Sequence, residues 1–458
     1  VLSLVLLAGA PAGADLRGQI DTIISAEKNV EFSIHVIKAQ TGQTLYSHRA
    51  DQAVIPASNM KLITTAAALQ TLGPGFVYVT KVGLVGRTLV IVGCGDPLLG
   101  DRQTEAGRSR PPEWIPQDIA ACLRQAGISS IGDIVVDTSI FDDQRVHPSW
   151  PTDELNRWYA CEICGLNYNN NCIGMKVQNS QGRIAVELDP ETHYVKIVDQ
   201  VRPVSGSKGD VGAYRQPGVP NTLLVKGTCS KEEGPFDVAV ERPASFLGFL
   251  VAESLNKAGI EVGGQLVERA LGPTETFAPL AEYRTPLRDC LLRANKDSLG
   301  MVAEALFKTL AASANGGKDG SWTTGQQVVS GYLLSLGISR SQFVIDDGSG
   351  LSRKNRLSAA CVTRVLQSVY ESPQWPMYRD SLAVGGVDGT TRRYFKEAKY
   401  KGKILGKTGN ISQVKSLSGV CQTSAGDVLF SILTNEADGT TRETINKIAE
   451  AIVDNPCI

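Results

Sequence analysis

The chain has 458 residues, 42% of them hydrophobic, and balances 46 Lys and Arg against 47 Asp and Glu for a formal charge of -1. That length and apolar content suffice for a packed core in more than one domain. With no long block of either sign, the chain lacks the electrostatic footprint of a nucleic-acid or anionic-membrane binder, and no run after the first residues is long and apolar enough to span a bilayer.

Residues 1–7 are apolar and lead into Ala8-Gly9-Ala10-Pro11-Ala12-Gly13-Ala14, small residues of the kind that precede a signal-peptidase cut. Residues 1–14 therefore read as a truncated export signal, with a frayed apolar terminus as the plain alternative. Residues 15–28 have a helical rhythm, and 31–39 and 44–48 alternate as strands about Thr41-Gly42, which predicts a hairpin. A helix is predicted from near Ser58, with Pro56 at or just before its first turn, where a missing N–H costs little. After Gly73-Pro74-Gly75, residues 77–83 and 84–92 read as strands, 112–126 as a helix, 131–136 as a strand and 141–171 as irregular. Strand-like runs at 175–177, 183–188, 194–198, 222–227 and 236–240 are closed by a helix over 244–258. Helices are expected at 287–294, 299–313, 324–336 and 358–371, with a short strand at 343–345. Strands at 404–407, 416–423 and 427–434 precede a last helix over 440–453.

The early hairpin and the terminal strands predict one antiparallel sheet flanked by helices, an α+β class with the middle of the chain inserted. The expected division is 15–75 with 270–458 as the main domain, 76–100 with 174–269 as a mainly-β insert, and 101–173 as a smaller α/β unit nested inside it. Ten cysteines permit disulfides in an exported chain. Cys161, Cys164 and Cys172 could also belong to a redox pair or a metal site, but no fourth ligand is evident, and disulfides or buried thiols are the favoured reading.

Ser-x-x-Lys occurs five times, at Ser25/Lys28, Ser58/Lys61, Ser205/Lys208, Ser254/Lys257 and Ser412/Lys415. Only Ser58 combines a preceding Pro-Ala, a predicted helix start and an apolar run behind it. Residues three apart share a helix face, so Lys61 would stand beside Ser58. A helix N-terminus favours a developing alkoxide and pushes a neighbouring ammonium toward its neutral form, which could take the serine proton. The plain alternative is a capping serine with a solvated lysine. Lys407-Thr408-Gly409 ends a predicted strand and could offer a cation, a hydroxyl and a strand edge to a peptide C-terminus. Asp347-Gly348-Ser349-Gly350 and Asp388-Gly389-Thr390 read as tight turns. A Ser-His-Asp triad is disfavoured, because no Gly-x-Ser-x-Gly elbow is present.

In combination, Ser58-x-x-Lys61, Gly93-x-Gly95-Asp96-Pro97, the 347–352 turn, residues 381–390 and Lys407-Thr408-Gly409 resemble the class C low-molecular-mass penicillin-binding proteins. The resemblance covers nearly the whole mature chain, including the wide gap between the first and second motifs. It implies a serine β-lactamase/transpeptidase-like fold and an exported, periplasmic or wall-associated D-alanyl-D-alanine carboxypeptidase or endopeptidase acting on peptidoglycan peptides. β-Lactam antibiotics would be covalent inhibitors, and no metal or organic cofactor is implied. Carried over by residue, Ser58 is the nucleophile, Lys61 its base and Ser298 a proton relay. Lys407, Thr408 and Gly409 receive the substrate carboxylate, and the backbone N–H groups of Ser58 and Ile411 form the oxyanion hole. The family's second motif is Ser-x-Asn, and here Gly300 replaces the asparagine. Losing such a positioned amide costs about 2 to 4 kcal/mol of transition-state stabilisation, so a weak or inactive peptidoglycan-binding homologue is the alternative reading.

Overall fold

The computed structural model describes residues 15–206, 209–216 and 218–455. The expected export signal at 1–14, Lys208 and Cys457 lie outside the described residues.

The main sheet has six antiparallel strands in the order Ala383–Val384, Ile404–Ile411, Val414–Thr423, Gly426–Asn435, Glu31–Lys38 and Thr44–His48. The N-terminal hairpin joins the C-terminal strands because Glu31–Lys38 is paired along its whole length, from Glu31 opposite Asn435 to Lys38 opposite Val428. Phe32, Ile34 and Val36 alternate onto one face, where they pack with Leu16, Ile20, Ile445 and Ile448 of the helices Leu16–Ser25 and Thr441–Asp454. The other face carries the helical layer: Met60–Leu72, Leu287–Asn295, Gly300–Ala314, Trp322–Ser335 and Ala359–Tyr370. Every residue from Met60 to Leu69 is buried, which marks this helix as the centre of that layer rather than an amphipathic surface helix.

A second, five-stranded sheet has the order Leu266–Glu268, Ile134–Asp137, Thr88–Val92, Val77–Val85 and Ala278–Pro286. Two three-stranded sheets, one of Asp210–Arg215, Thr222–Cys229 and Lys196–Pro203 and one of Glu232–Ala239, Cys172–Ser180 and Arg183–Asp189, lie between its strands in sequence. Sheet membership therefore cuts across the expected division. Ile134–Asp137, assigned to the nested unit, pairs with Thr88–Val92, and Ala278–Pro286, assigned to the main domain, pairs with Val77–Val85. The strand break expected at Gly83 is absent for a packing reason. A Cβ there would lie 2.4 Å from the carbonyl oxygen of Ala278, so this glycine lets the neighbouring strand approach, and the reversal comes at Gly86 with φ +58°.

The nine described cysteines are free thiols, seven of them buried. No group of three or more His, Cys, Asp and Glu suited to a metal ion occurs among the described residues. No helix among them is long and apolar enough to cross a membrane.

Candidate active site

Ser58 lies in a single 3-10 turn, Ala57–Asn59, that runs directly into the helix Met60–Leu72. No side chain caps this start, so the Ser58 hydroxyl is left for chemistry. Lys61 donates from Nζ to Ser58 Oγ at 3.1 Å and to the Ser349 carbonyl at 2.8 Å. It is 2% exposed, which excludes the solvated-lysine alternative. Burial pulls its pKa down to about 8, against the opposing pull of Glu304 and Asp347. Ala57, just before Ser58, holds φ +47°, a backbone state that costs about 1 to 3 kcal/mol outside glycine. Its surroundings impose it. A Cβ on Gly350 would sit 1.9 Å from the Ala57 carbonyl, and Ser416 Oγ donates to the Pro56 carbonyl at 2.9 Å.

Ser298 stands between the helices Leu287–Asn295 and Gly300–Ala314, also at positive φ, +64°. Its hydroxyl accepts from Lys407 Nζ at 2.8 Å, and the same amine donates to the Thr408 carbonyl at 2.7 Å. Ser298 is thus held by Lys407 and not by Lys61. Lys407 is fully buried, and its pKa falls well below the ordinary lysine value through burial, then the repulsion of Lys61 and Arg442. Its amine is committed inside the wall of the site, not displayed to solvent as a free cation. Gly300 opens its helix and lines the cleft, where a Cβ would meet the Tyr159 carbonyl oxygen at 3.3 Å and Ser349 Cβ at 3.8 Å.

The strand Ile404–Ile411 settles the backbone donors by alternation. The Ile404 carbonyl bonds to Gly385 N–H on one edge, and the Lys403 carbonyl bonds to Gln422 N–H on the other. With regular register down to Ile411 opposite Val414, even-numbered residues face the Ala383–Val384 edge and odd-numbered ones the neighbouring strand. Past Ala383, which lies opposite Gly406, the even edge is open at Thr408 and Asn410. The expectation for Ile411 is therefore corrected: its N–H faces Val414, and the free backbone donor beside Ser58 belongs to Asn410. The reading of Gly409 also changes. A Cβ there would meet Ser416 Oγ at 2.1 Å and the Pro56 carbonyl oxygen at 2.9 Å, so this glycine admits the turn that carries Ser58 rather than a substrate carboxylate.

Ser58, Lys61, Ser298, Ser349, Thr408 and Asn410 line one cleft of about 880 Å³, whose outer wall includes Trp150, Trp158 and Tyr159. The 347–350 turn belongs to it: Asp347 accepts from Gly350 N–H, Ser352 N–H, Asn355 Nδ2 and Trp150 Nε1, and Ser349 reaches the cleft. Asp388 ties residues 384–390 to the Ser298 segment through Lys296 at 2.7 Å. The Gly93-Cys94-Gly95-Asp96-Pro97 loop lies elsewhere. Asp96 accepts from Thr285 Oγ1 at 2.6 Å and from Leu98 N–H at 2.8 Å, tying up the end of the five-stranded sheet. Sequence reasoning missed Asn59, which donates to Ser416 Oγ and to the Lys407 carbonyl, and Arg442, which donates to the Gly409 and Ser416 carbonyls. It also missed Glu304. Only an unexplained charge inside an apolar helical pattern could have flagged that residue.

A family model described as the D-Ala-D-Ala carboxypeptidase 3 (S13) family matches residues 16–455. The chain is 29% identical to the D-alanyl-D-alanine carboxypeptidase of an Actinomadura species, over 96% of this chain and 86% of that protein. It is 24% identical to the D-alanyl-D-alanine carboxypeptidase DacB of Haemophilus influenzae, over 84% of this chain and 81% of the relative. The crystal structure of penicillin binding protein 4 (dacB) from Haemophilus influenzae has the same fold, with a TM-score of 0.79 at 21% identity over 95% of this chain and 98% of that one. From its family match over nearly its full length, the chain belongs to the D-Ala-D-Ala carboxypeptidase 3 (S13) family.

Proposed function

We infer that this chain is a serine-type D-Ala-D-Ala carboxypeptidase that works on peptidoglycan stem peptides through an acyl-enzyme on Ser58. The observation that carries the reading is the buried Lys61 amine 3.1 Å from Ser58 Oγ at the floor of the cleft. With its pKa lowered to about 8, Lys61 is neutral in a useful fraction near physiological pH and takes the serine proton as Oγ attacks the penultimate D-Ala carbonyl. The first turn of a helix leaves its N–H groups without intrahelical partners, so Ser58 N–H, with Asn410 N–H across the cleft, stabilises the oxyanion. Ser298, held by Lys407, gives its proton to the leaving D-Ala nitrogen and is reprotonated from Lys61, which returns the lysine to its neutral form. Thr408 receives the terminal carboxylate, with Lys407 behind it as a field source. Water then hydrolyses the ester.

β-Lactams fit the same scheme as acylating inhibitors whose leaving group stays tethered. We place the protein outside the cytoplasm, where its substrate lies, with residues 1–14 as the export signal. Incubation with labelled penicillin followed by peptide mass spectrometry is expected to put the adduct on Ser58. Folded protein with no adduct there, and no D-Ala release from a pentapeptide, would sink this reading. Cleavage of a cross-linked dimer in the same assay assigns an endopeptidase side.

A further inference from the structure

Behind the cleft wall, the helix Gly300–Ala314 faces the 347–350 turn. Glu304 stands one helical turn after Gly300, on the same face, and is fully buried. Its Oε1 accepts from Ser349 N–H at 2.7 Å, and its Oε2 accepts from Gly348 N–H at 3.1 Å and from Trp322 Nε1 at 2.8 Å. The carbonyls of the same two turn residues point the other way, to the nucleophile's helix. Gly348 O accepts from Thr64 Oγ1 at 2.7 Å, and Ser349 O accepts from Lys61 Nζ at 2.8 Å. Gly348 lets the turn lie flat on Glu304's helix, since a Cβ would stand 2.9 Å from the Ala303 carbonyl oxygen and 2.7 Å from Phe307 Cβ.

We propose that Glu304 is the positioning residue that holds Lys61 where Gly300 supplies no side-chain amide: it clamps the Gly348 and Ser349 peptide groups so that the Ser349 carbonyl anchors the lysine amine beside Ser58. The inference rests on the reading of Ser58 and Lys61 as the acylating pair. A carboxylate suits the task because three N–H donors converge on it, and an amide has a single acceptor oxygen. The charges around it are accounted for. Asp347 in the turn is satisfied by its own four donors, and Lys308, one turn further along the helix, is bound by Asp142 at 2.6 Å and by the Gln144 carbonyl. Lys61 is left as the cation toward which the clamp works. Burial and Asp347 push Glu304 up to about 7, so its anion is present over the range in which Lys61 gives up its proton.

Two variants of the full chain test this, read by stopped-flow acylation with a fluorescent penicillin and corrected for folded fraction by near-ultraviolet circular dichroism. Glu304→Gln keeps the shape and loses the charge, and Glu304→Asp keeps the charge and withdraws it by one methylene. If the unmodified protein is not acylated at all, the reading of the site fails and not this one. With an acylating parent, both variants are expected to acylate at least about tenfold more slowly, with the dissociation constant of the initial complex within about threefold. In Glu304→Gln the midpoint of the rise of rate with pH moves down, because the anion that favoured protonated Lys61 is gone. Adding Gly300→Asn to Glu304→Gln is expected to restore rate by a larger factor than the same change gives the parent, since two groups that share one task are not additive. Rates that fall only with the folded fraction, an unmoved pH midpoint, or equal gains from the asparagine in both backgrounds would each overturn the proposal.

Discussion

Two serine–lysine pairs meet in this cleft, and they are built in opposite ways. Ser58 and Lys61 are three residues apart on one helix, and Ser298 and Lys407 are 109 residues apart, brought together only when a helix junction meets a sheet edge. Both lysines are buried, both have lowered pKa values, and both serines follow from backbone under local strain, at Ala57 in one case and at Ser298 itself in the other. The local pair starts from one turn and the helix it runs into, and the Ser349 carbonyl completes its geometry. The distant pair needs the whole fold, and in the proposed scheme it serves the leaving group rather than the attack.

Breaking the local pair should cost most. Ser58→Ala is expected to abolish penicillin labelling and lower D-Ala release by about 10⁴-fold or more, as removal of a nucleophile does elsewhere. A loss of less than about tenfold would show that another residue is acylated. Ser298→Ala breaks the distant pair and should lower kcat by about 10² to 10⁴, the range of a lost general acid, while the initial complex with penicillin still forms. A weakened initial complex with kcat unchanged would move Ser298 from proton transfer to binding.

The pH dependence sharpens the comparison. Acylation requires neutral Lys61, so its rate should rise with pH through about 8 and fall off on the acid side. For stability the sign is also set by the lowered value. Between about 8 and the ordinary lysine value the unfolded chain binds more protons at this site, so Lys61 contributes a destabilisation that is full below about 8 and is relieved as pH rises through that window. A Lys61→Met variant should flatten the acid limb of the penicillin-binding rate profile and lose most of its amplitude.

Smaller effects come from the scaffold. Ile63→Ala, in the buried stretch of the helix that carries Lys61, should cost about 2 to 5 kcal/mol in urea unfolding through cavity formation. Ala57→Gly removes a side chain from the left-handed region, and the relief of strain opposes the added freedom of the unfolded chain, so stability should change by no more than about 1 kcal/mol. A larger loss would mean that the Ala57 methyl, which a Cβ on Gly409 would meet at 3.1 Å, contributes packing against that strand.

The same contrast explains what could be read before the fold was known. Ser58 and Lys61 were legible because their relation is local, and five strands of the six-stranded sheet because they alternate, while the two-residue edge strand Ala383–Val384 is too short to show a pattern. Lys407 and Thr408 were legible as a polar strand end that could hold a peptide C-terminus, but Ser298 came only with the family resemblance, since no local rule connects residues so far apart. Glu304 and Arg442 escaped altogether, because a charge in a helical pattern looks solvated until the partners that bury it are in place. Ala278–Pro286 was missed because Glu282 and Arg284 break its apolar pattern on the exposed face. The misassignment of Ile411 was a matter of parity: one residue along a strand reverses which edge its N–H faces.

The pairing of Glu31–Lys38 with Gly426–Asn435 has a consequence in time. The strand Glu31–Lys38 lies in the interior of the sheet beside one some 400 residues later, so the hairpin cannot find its partner until that length of chain has followed it. Contacts of such sequence separation close slowly. Until they do, the Ile404–Ile411 edge has no finished sheet behind it, and Lys407 has no fixed place from which to reach Ser298. Activity should therefore appear late and all at once during synthesis and refolding, after the inserted sheets, whose strands are closer in sequence, have already formed.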